Sequence, residues 1–498
     1  MSLRALLGTA GIAILAGIGA PTAAPAQNAV APPSPVCRPR TTPVSQAPAT
    51  LIKQATVPQS NGRVIDITLA SPAMRGPEHV DVLLPPGFDA GGRTRYPVLY
   101  LLHGASGAYH DWFDHGVEKI VDEATQSRHL PPFLVVMPDG GTWGFYSDWY
   151  GSDLDGHTPY PPPAWATFHL NELVPWIDSH FPTFTDRQHR AIAGLSMGGF
   201  GTMSYAARHP DLFVAAGSFS GAVDTDIDYP VGSQGLTLAS SAFTGGLPNQ
   251  CVWGDPLTQD VRWRTTDPTY LAPNLATESL YVATGNGSPG PYDNPSDPAT
   301  YGAGAVEQSI SSMNQAFVAA LDAAGVAHSD EFYGNGTHAW PYWERDLGHF
   351  LPRMTAAFGS PPAAPPLVPF TYRSAETSFS VWGWTFTAGR AVTEFTYLSD
   401  VRPSGFQVVG SGTLRAVSAP VYLPGAAYIV SQGAAHRTVS AGADGRLAFA
   451  VGLGPSHQVQ QTSFDRGATD SWVHATVTIR GPLRAGAQAG GAAHRLAW

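Results

Sequence analysis

The sequence predicts an α/β domain on a mostly parallel sheet, followed by a small all-β domain of sandwich type. Three observations carry that prediction. "YPVLYLLHG" (96–104), "FLVVMPDG" (133–140), "HRAIAG" (189–194) and "LYVATGNG" (280–287) are continuous apolar runs that end in glycine. Strands buried on both faces of a parallel sheet read this way, whereas half-exposed strands alternate. Helical patterns separate the runs: "AGAVEQSISSMNQAFVAALDAAG" sets Ile310, Met313, Phe317 and Leu321 on one face and stops at Gly325, a C-cap residue. Beyond residue 358 the helical periodicity ends, and short strand candidates follow one another between Gly, Pro, Asp and Ser.

Taken in order, the chain opens with an export leader. Arg4 supplies the positive start, Ala5 to Ala20 is apolar and small, and Ala24-Pro25-Ala26 offers a cleavage site before Gln27. The apolar run, about 16 residues, falls short of the roughly 20 needed to span a bilayer. Residues 1–26 therefore read as a signal peptide, and the protein as secreted with no stable membrane span. Residues 27–50, rich in Pro, Ala, Ser and Thr, read as a flexible segment. The α/β domain covers 51–358, and "GSPPAAPPLVP" (359–369) is a Pro-rich linker. The β-sandwich covers 370–482, with strand candidates at "FSVWGWTFT" (379–387), "FQVVGSGTLRAV" (406–417), "AAYIVS" (426–431), "GRLAFAVGL" (445–453) and "SWVHATVTIR" (471–480). Residues 483–498 read as a flexible tail.

Composition excludes some functions. Charged residues are 13% of the chain, lysine occurs only as Lys53 and Lys119, and the net charge is −11. That balance argues against nucleic acid as a partner. The histidines do not cluster at zinc-ligand spacing, so no metal is expected, and the serine chemistry set out below requires no cofactor. Export permits a disulfide between the two cysteines, Cys37 and Cys251. Sequence separation does not fix its geometry, so a bridge and two free thiols stay equally open.

The chemistry centres on "AIAGLSMGGFGT" (191–202), where Ser196 stands in a G-x-S-x-G pattern. With 54 glycines in the chain, the pattern alone is weak. Its context is stronger: "RAIAG" reads as a buried strand and "SMGGFGTMSYAARHP" as a helix ending near Pro210. A serine between strand and helix is the nucleophile elbow, whose sharp turn pushes Oγ out at the C-terminal edge of the sheet. Serine needs a base, and the base an orienting carboxylate. "YGNGTHAWPYW" (333–343) supplies His338 on a Gly-rich loop; His209 and His328 look structural, and His349 lies on a helical pattern. For the carboxylate, spacing leaves Glu307, read as opening a helix, in competition with Asp293 and Asp297. The oxyanion hole needs two backbone N–H donors, assigned to Met197, next to the serine, and Ala105, in the loop after "LYLLHG".

These residues bring a family into view. "YLLHG", "FYSDWYG" (145–151), "GLSMGG", "HPDLFVAAGSFSGAVD" (209–224), "WGDP" (253–256), "ATGNGSPG" and "NGTHAWPYW" give much of 60–355 a resemblance to the esterase family that includes the antigen-85 mycolyltransferases. The resemblance implies an α/β-hydrolase fold with a Ser-Glu-His triad of Ser196, Glu307 and His338. It also implies that Asp224 contacts the acyl acceptor and that Trp340 lies beside the site. The likeness has gaps. Where the mycolyltransferases carry Asp before the first-loop glycine and Leu-Arg after it, this chain has His103, Ala105 and Ser106. The trehalose-contacting pair is thus missing, and so is the close cysteine pair after "FYSDWYG".

The leading expectation is a secreted serine esterase or acyltransferase whose substrate is an acyl lipid or acylated sugar, with water or a sugar hydroxyl as acceptor. A carbohydrate esterase of feruloyl or acetyl-xylan type is the alternative, with Trp382, Trp384 and Trp472 as a sugar-stacking platform. Trp382 and Trp384 read as sharing one strand face, where tryptophan is more often core. A non-catalytic cell-wall-binding protein is the third reading. The aromatics of "WYGSDLDGHTPYPPPAW" (149–165) either roof the pocket or pack a loop.

Overall fold

The computed structural model describes residues 37–89, 91, 93–127, 130–154, 160–226, 250–461 and 471–482. The expected signal peptide (1–26), residues 27–36 of the expected flexible segment and the expected tail (483–498) lie outside the described residues.

The first strands are β1 (Cys37–Pro39), β2 (Thr50–Thr56), β3 (Val64–Ser71), β4 (Gly76–Leu83), β5 (Val98–Leu102), β6 (Leu134–Pro138), β7 (Gly151–Asp153), β8 (Arg190–Leu195), β9 (Ala215–Phe219), β10 (Ser279–Thr284) and β11 (His328–Phe332). Nine of them form one sheet in the order β11-β10-β9-β8-β5-β6-β4-β3-β2. The ladder from β6 to β11 is parallel, and β2, β3 and β4 continue it antiparallel. With β2 as an added edge, this is the α/β-hydrolase order.

The continuous apolar runs form the middle strands because both faces are covered. Successive side chains alternate between faces. Leu99 and Leu101 enter one core, with Trp343, Leu347 and Phe350, while Tyr100 and Leu102 enter the other, with Phe200 and Met203. Each such fully buried aliphatic side chain contributes about 1.5–3 kcal/mol over exposure.

Three helices matter for the site: α1 (Met197–Arg208), α2 (Pro298–Ala323) and α3 (Trp340–Gly359). The α2 C-terminus follows from Gly325, which adopts φ +66°. Its N–H bonds the Asp322 carbonyl and the Val326 N–H bonds the Leu321 carbonyl, both at or near 3.0 Å, a Schellman cap. Asp297 caps the other end, accepting from the Ala299 N–H at 2.9 Å. Glu307 therefore lies well inside α2 rather than opening it, as the sequence suggested.

Part of the expected flexible segment is structured. β1 pairs antiparallel with β7, and Cys37 is bonded to Cys251, with Cα atoms 5.5 Å apart.

The C-terminal strands are β12 (Phe370–Ser374), β13 (Ser378–Val381), β14 (Trp384–Gly389), β15 (Thr396–Arg402), β16 (Gly405–Gly410), β17 (Gly412–Val417), β18 (Ala427–Gln432), β19 (Ala435–Ser440), β20 (Ala448–Leu453) and β21 (Val473–Arg480). They form two antiparallel sheets, β12-β15-β16-β21-β18-β19 and β13-β14-β17-β20, around one core. Two expected strands are each two. "FSVWGWTFT" is the β13–β14 hairpin, turned by Trp382 (φ 51°) and Gly383 (φ 76°), since two residues of positive φ match the strand twist. "FQVVGSGTLRAV" breaks at Ser411 and passes from one sheet to the other.

Candidate active site

Ser196 sits between β8 and α1 with φ 53° and ψ −118°. A non-glycine residue held there costs about 1–3 kcal/mol, and the surroundings hold it. Its N–H donates to the Phe219 carbonyl at 2.9 Å, and its own carbonyl accepts from Phe200 and Ala222. The flanking glycines are required by close approach. A Cβ on Gly194 would fall 2.5 Å from the Gly198 carbonyl oxygen, and one on Gly198 would fall 2.5 Å from that of Leu102.

His338 comes to Ser196 on the loop between β11 and α3. Its Nε2 lies 2.8 Å from Ser196 Oγ, and its Nδ1 lies 2.6 Å from Glu307 Oε2. Glu307 is fully buried. Its Oε1 accepts from Ser220 Oγ (2.7 Å), Thr284 Oγ1 (2.9 Å) and the Gly285 N–H (2.7 Å). Burial pushes this carboxyl up, but the His338 hydrogen bond and charge, with Ser220 and Gly285, outweigh it and hold it below the usual range. An ionised acceptor on Nδ1 leaves Nε2 as the acceptor for the serine hydroxyl.

The competing residues have other partners. Asp293 accepts from Thr337 (2.6 Å), Tyr342 (2.7 Å) and the Gly290 N–H (2.7 Å), which ties down the His338 loop. Asp297 is the α2 cap. His328 bonds the Val326 carbonyl at 2.9 Å and His349 bonds Glu331 at 3.0 Å. His209 is enclosed, and burial aided by the Arg208 charge pushes it down to about 4.

On the other side of the serine, the Ala105–Ser106 loop is held from behind. The Ser106 N–H donates to the Thr142 carbonyl at 2.7 Å. His103 is buried; its Nε2 accepts from the Gly140 N–H (2.8 Å), so Nδ1–H donates to the Gly104 carbonyl (2.8 Å). Tyr146 donates to the His103 carbonyl at 2.9 Å. Sequence reasoning noted His103 only as a departure from the family and missed Tyr146, Ser220 and Thr284, because none forms a local motif with the serine.

The remaining expected site residues are placed as follows. Met197 opens α1, directly after Ser196, and is buried. Asp224 is buried two residues beyond Ala222, whose N–H reaches the Ser196 carbonyl at 3.2 Å. Trp340 starts α3 and stacks on His115 (3.8 Å), while Trp343 meets the His338 ring edge-on at 4.9 Å. No tryptophan platform forms: Trp384 is core, Trp382 is in a turn under Arg187 at 5.1 Å, and Trp472 packs on Tyr397 at 5.2 Å. In the 149–165 stretch Trp149 and Trp165 are core; residues 155–159 lie outside the described residues. Among the described residues no group of His, Cys, Asp or Glu is placed to hold a metal ion, and no helix is long and apolar enough to cross a membrane.

Comparison with known proteins fits this geometry. Esterase Rv1288 of Mycobacterium tuberculosis is 32% identical over 279 residues, covering 56% of this chain. The chain thus spans only 56% of that relative's length. The diacylglycerol acyltransferase/mycolyltransferase Ag85B of Mycobacterium avium is 30% identical, over 55% of this chain and 79% of its own. The solved structure of Mycobacterium tuberculosis MPT51 matches with 24% identity over 62% of this chain and 99% of its own, with a TM-score of 0.46. The family model described as putative esterase matches residues 71–354, a span that holds Ser196, Glu307 and His338 together with the loop before them. Over more than half its length, this chain belongs to that esterase family.

Proposed function

We propose that this protein is an exported serine carboxylic-ester hydrolase or acyltransferase. The observation that carries the reading is the unbroken hydrogen-bonded chain from Ser196 through His338 to buried Glu307, at a strand-to-helix elbow. His338 Nε2 takes the proton as Ser196 Oγ attacks the ester carbonyl. Glu307 fixes the tautomer and stabilises the imidazolium. The N–H groups of Ala105 and Met197 receive the oxyanion; each such donor is worth about 2.7–4 kcal/mol. The alcohol leaves with the proton from His338, and water or a sugar hydroxyl takes the acyl group. Asp224 and Trp340 face the acceptor and the acyl group in this reading. The leader and the disulfide support export.

The test is turnover of p-nitrophenyl esters from acetyl to palmitoyl, with Ser196→Ala in parallel. Wild type is expected to turn over with a chain-length optimum, and the variant to lose about a million-fold in kcat. Equal turnover by both proteins, or none by either, would sink the proposal.

A further inference from the structure

The two oxyanion donors belong to separate segments, Ala105 to the loop after β5 and Met197 to the start of α1. β5 and β8 are neighbours, but their ladder ends at Leu102 and Gly194, so the sheet stops short of both donors. One dipeptide, Phe145–Tyr146, reaches the support of each. The Phe145 N–H donates to Met197 Sδ at 3.4 Å, and the Tyr146 hydroxyl donates to the His103 carbonyl, two residues before Ala105, at 2.9 Å. Both residues of the pair have φ 46°. Bulky side chains avoid that region, and two in succession persist only where the surroundings over-determine them. The surroundings do so here. The Phe145 carbonyl accepts from Ser147 Oγ at 2.7 Å, and its ring meets Phe200 and Trp253 edge-on at 5.3 and 4.9 Å. The buried Tyr146 ring lies against two glycines: a Cβ on Gly140 would fall 2.6 Å from it, and one on Gly201, in α1, 2.5 Å. Burial pushes the phenol well up, which keeps it an O–H donor. A dipeptide that only filled the core would not need this backbone.

We infer that the Phe145–Tyr146 pair is the spacer of the oxyanion hole, with the Tyr146 hydroxyl and the Met197 sulfur as its two positioning groups. The inference rests on the reading of Ala105 and Met197 as the oxyanion donors. Both donors must lie about 2.7–3.1 Å from the oxygen that becomes negative. Through the His103 carbonyl, Tyr146 sets the loop that carries Ala105. Through its sulfur, Met197 ties the first turn of α1 to the same dipeptide. The held dipeptide thus fixes one donor relative to the other. Neither side chain is needed to bind the ester itself. Their loss therefore acts on the transition state, where the hole fills, and little on the ground state.

The test is a double-mutant cycle in the full chain with Tyr146→Phe, Met197→Leu and both together. The substrate is the p-nitrophenyl ester that wild type turns over fastest, and kcat is taken per serine titrated to completion with a fluorophosphonate. Each single variant is expected to lose about 10–100-fold in kcat, the scale of a misplaced group, with KM within threefold. Phenylboronic acid, which takes up the Ser196 oxygen and puts a boron-bound oxygen in the hole, is expected to bind more weakly by a similar factor. The pH midpoint of kcat is expected to stay, because His338 and Glu307 are untouched. The double variant is expected to match the worse single one, since a spacing lost once is not lost again. A merely structural role would lower the titrated fraction and leave kcat per serine unchanged, which would overturn the inference. So would a double variant that loses the product of the two single effects. Should Tyr146→Phe not fold, the near-isosteric Met197→Leu decides alone by its kcat. A wild type with no turnover and no titrated serine would overturn the reading of Ser196 and this inference with it; an active wild type with unaffected variants overturns this inference only.

Discussion

Replacing Glu307 by Gln adds no bulk but reverses one hydrogen bond. Ser220, Thr284 and the Gly285 N–H all donate to Oε1, so they select the amide oxygen there. The amide NH2 then faces His338 Nδ1 and forces the tautomer whose Nε2–H no longer accepts from Ser196. We expect a folded protein with kcat lower by about 10⁴, the scale of a wrong-tautomer defect; near-ultraviolet circular dichroism checks the fold, and turnover within tenfold of wild type would contradict the argument. Ser196 and His338 were legible because glycines and aromatics mark their loops. Glu307 was not legible by spacing, since a carboxylate inside a helix looks like any surface residue of that helix. The three donors that single it out come from segments 22 to 87 residues away.

At the scale of elements, continuous apolar runs found the parallel strands, because burial on both faces leaves a signal in every residue. The hairpin hidden in "FSVWGWTFT" escaped because its turn is made by Trp382-Gly383 rather than by a polar pair. β1 escaped because three residues carry no period, and its position depends on the partner β7 and on Cys251. The bridge closes a sequence separation of 214 residues. Removing it as Cys37→Ser/Cys251→Ser is expected to cost about 2–4 kcal/mol, read as a lower urea midpoint. Ester turnover at 25 °C should persist, because neither cysteine touches Ser196 or His338.

For the whole molecule, buried acids set the response to pH. Burial drives Glu278 up to about 8, against the opposing charge of Arg187. Burial, reinforced by Asp260 and opposed by Arg264, drives Asp226 up to about 7. The folded chain thus holds protons that the unfolded chain releases from the ordinary carboxylate range upward. The stability they confer is complete at acid pH and falls as pH rises through 7 and 8. Glu307, held low, acts in the opposite sense and loses its contribution only below the ordinary glutamate range. The melting temperature should therefore fall between pH 5 and pH 8, and Glu278→Gln should flatten the slope; an unchanged slope in the variant would refute the assignment.

The sandwich meets the hydrolase-like half at the far end of α1. Tyr372 donates to the Arg208 carbonyl at 2.7 Å, Glu376 pairs with Arg208 at 2.7 Å, and Asn274 links Ala207 to Arg373 at 3.0 Å. At about 1.5 Å per residue over the twelve residues of α1, this part of the junction lies about 18 Å from the serine. For immobilisation or surface display, the sandwich is the natural handle. Its edge strand β19 is largely exposed and lies at the opposite sheet edge from β12, which carries Tyr372, so a support attached there would load the sandwich rather than the hydrolase-like half.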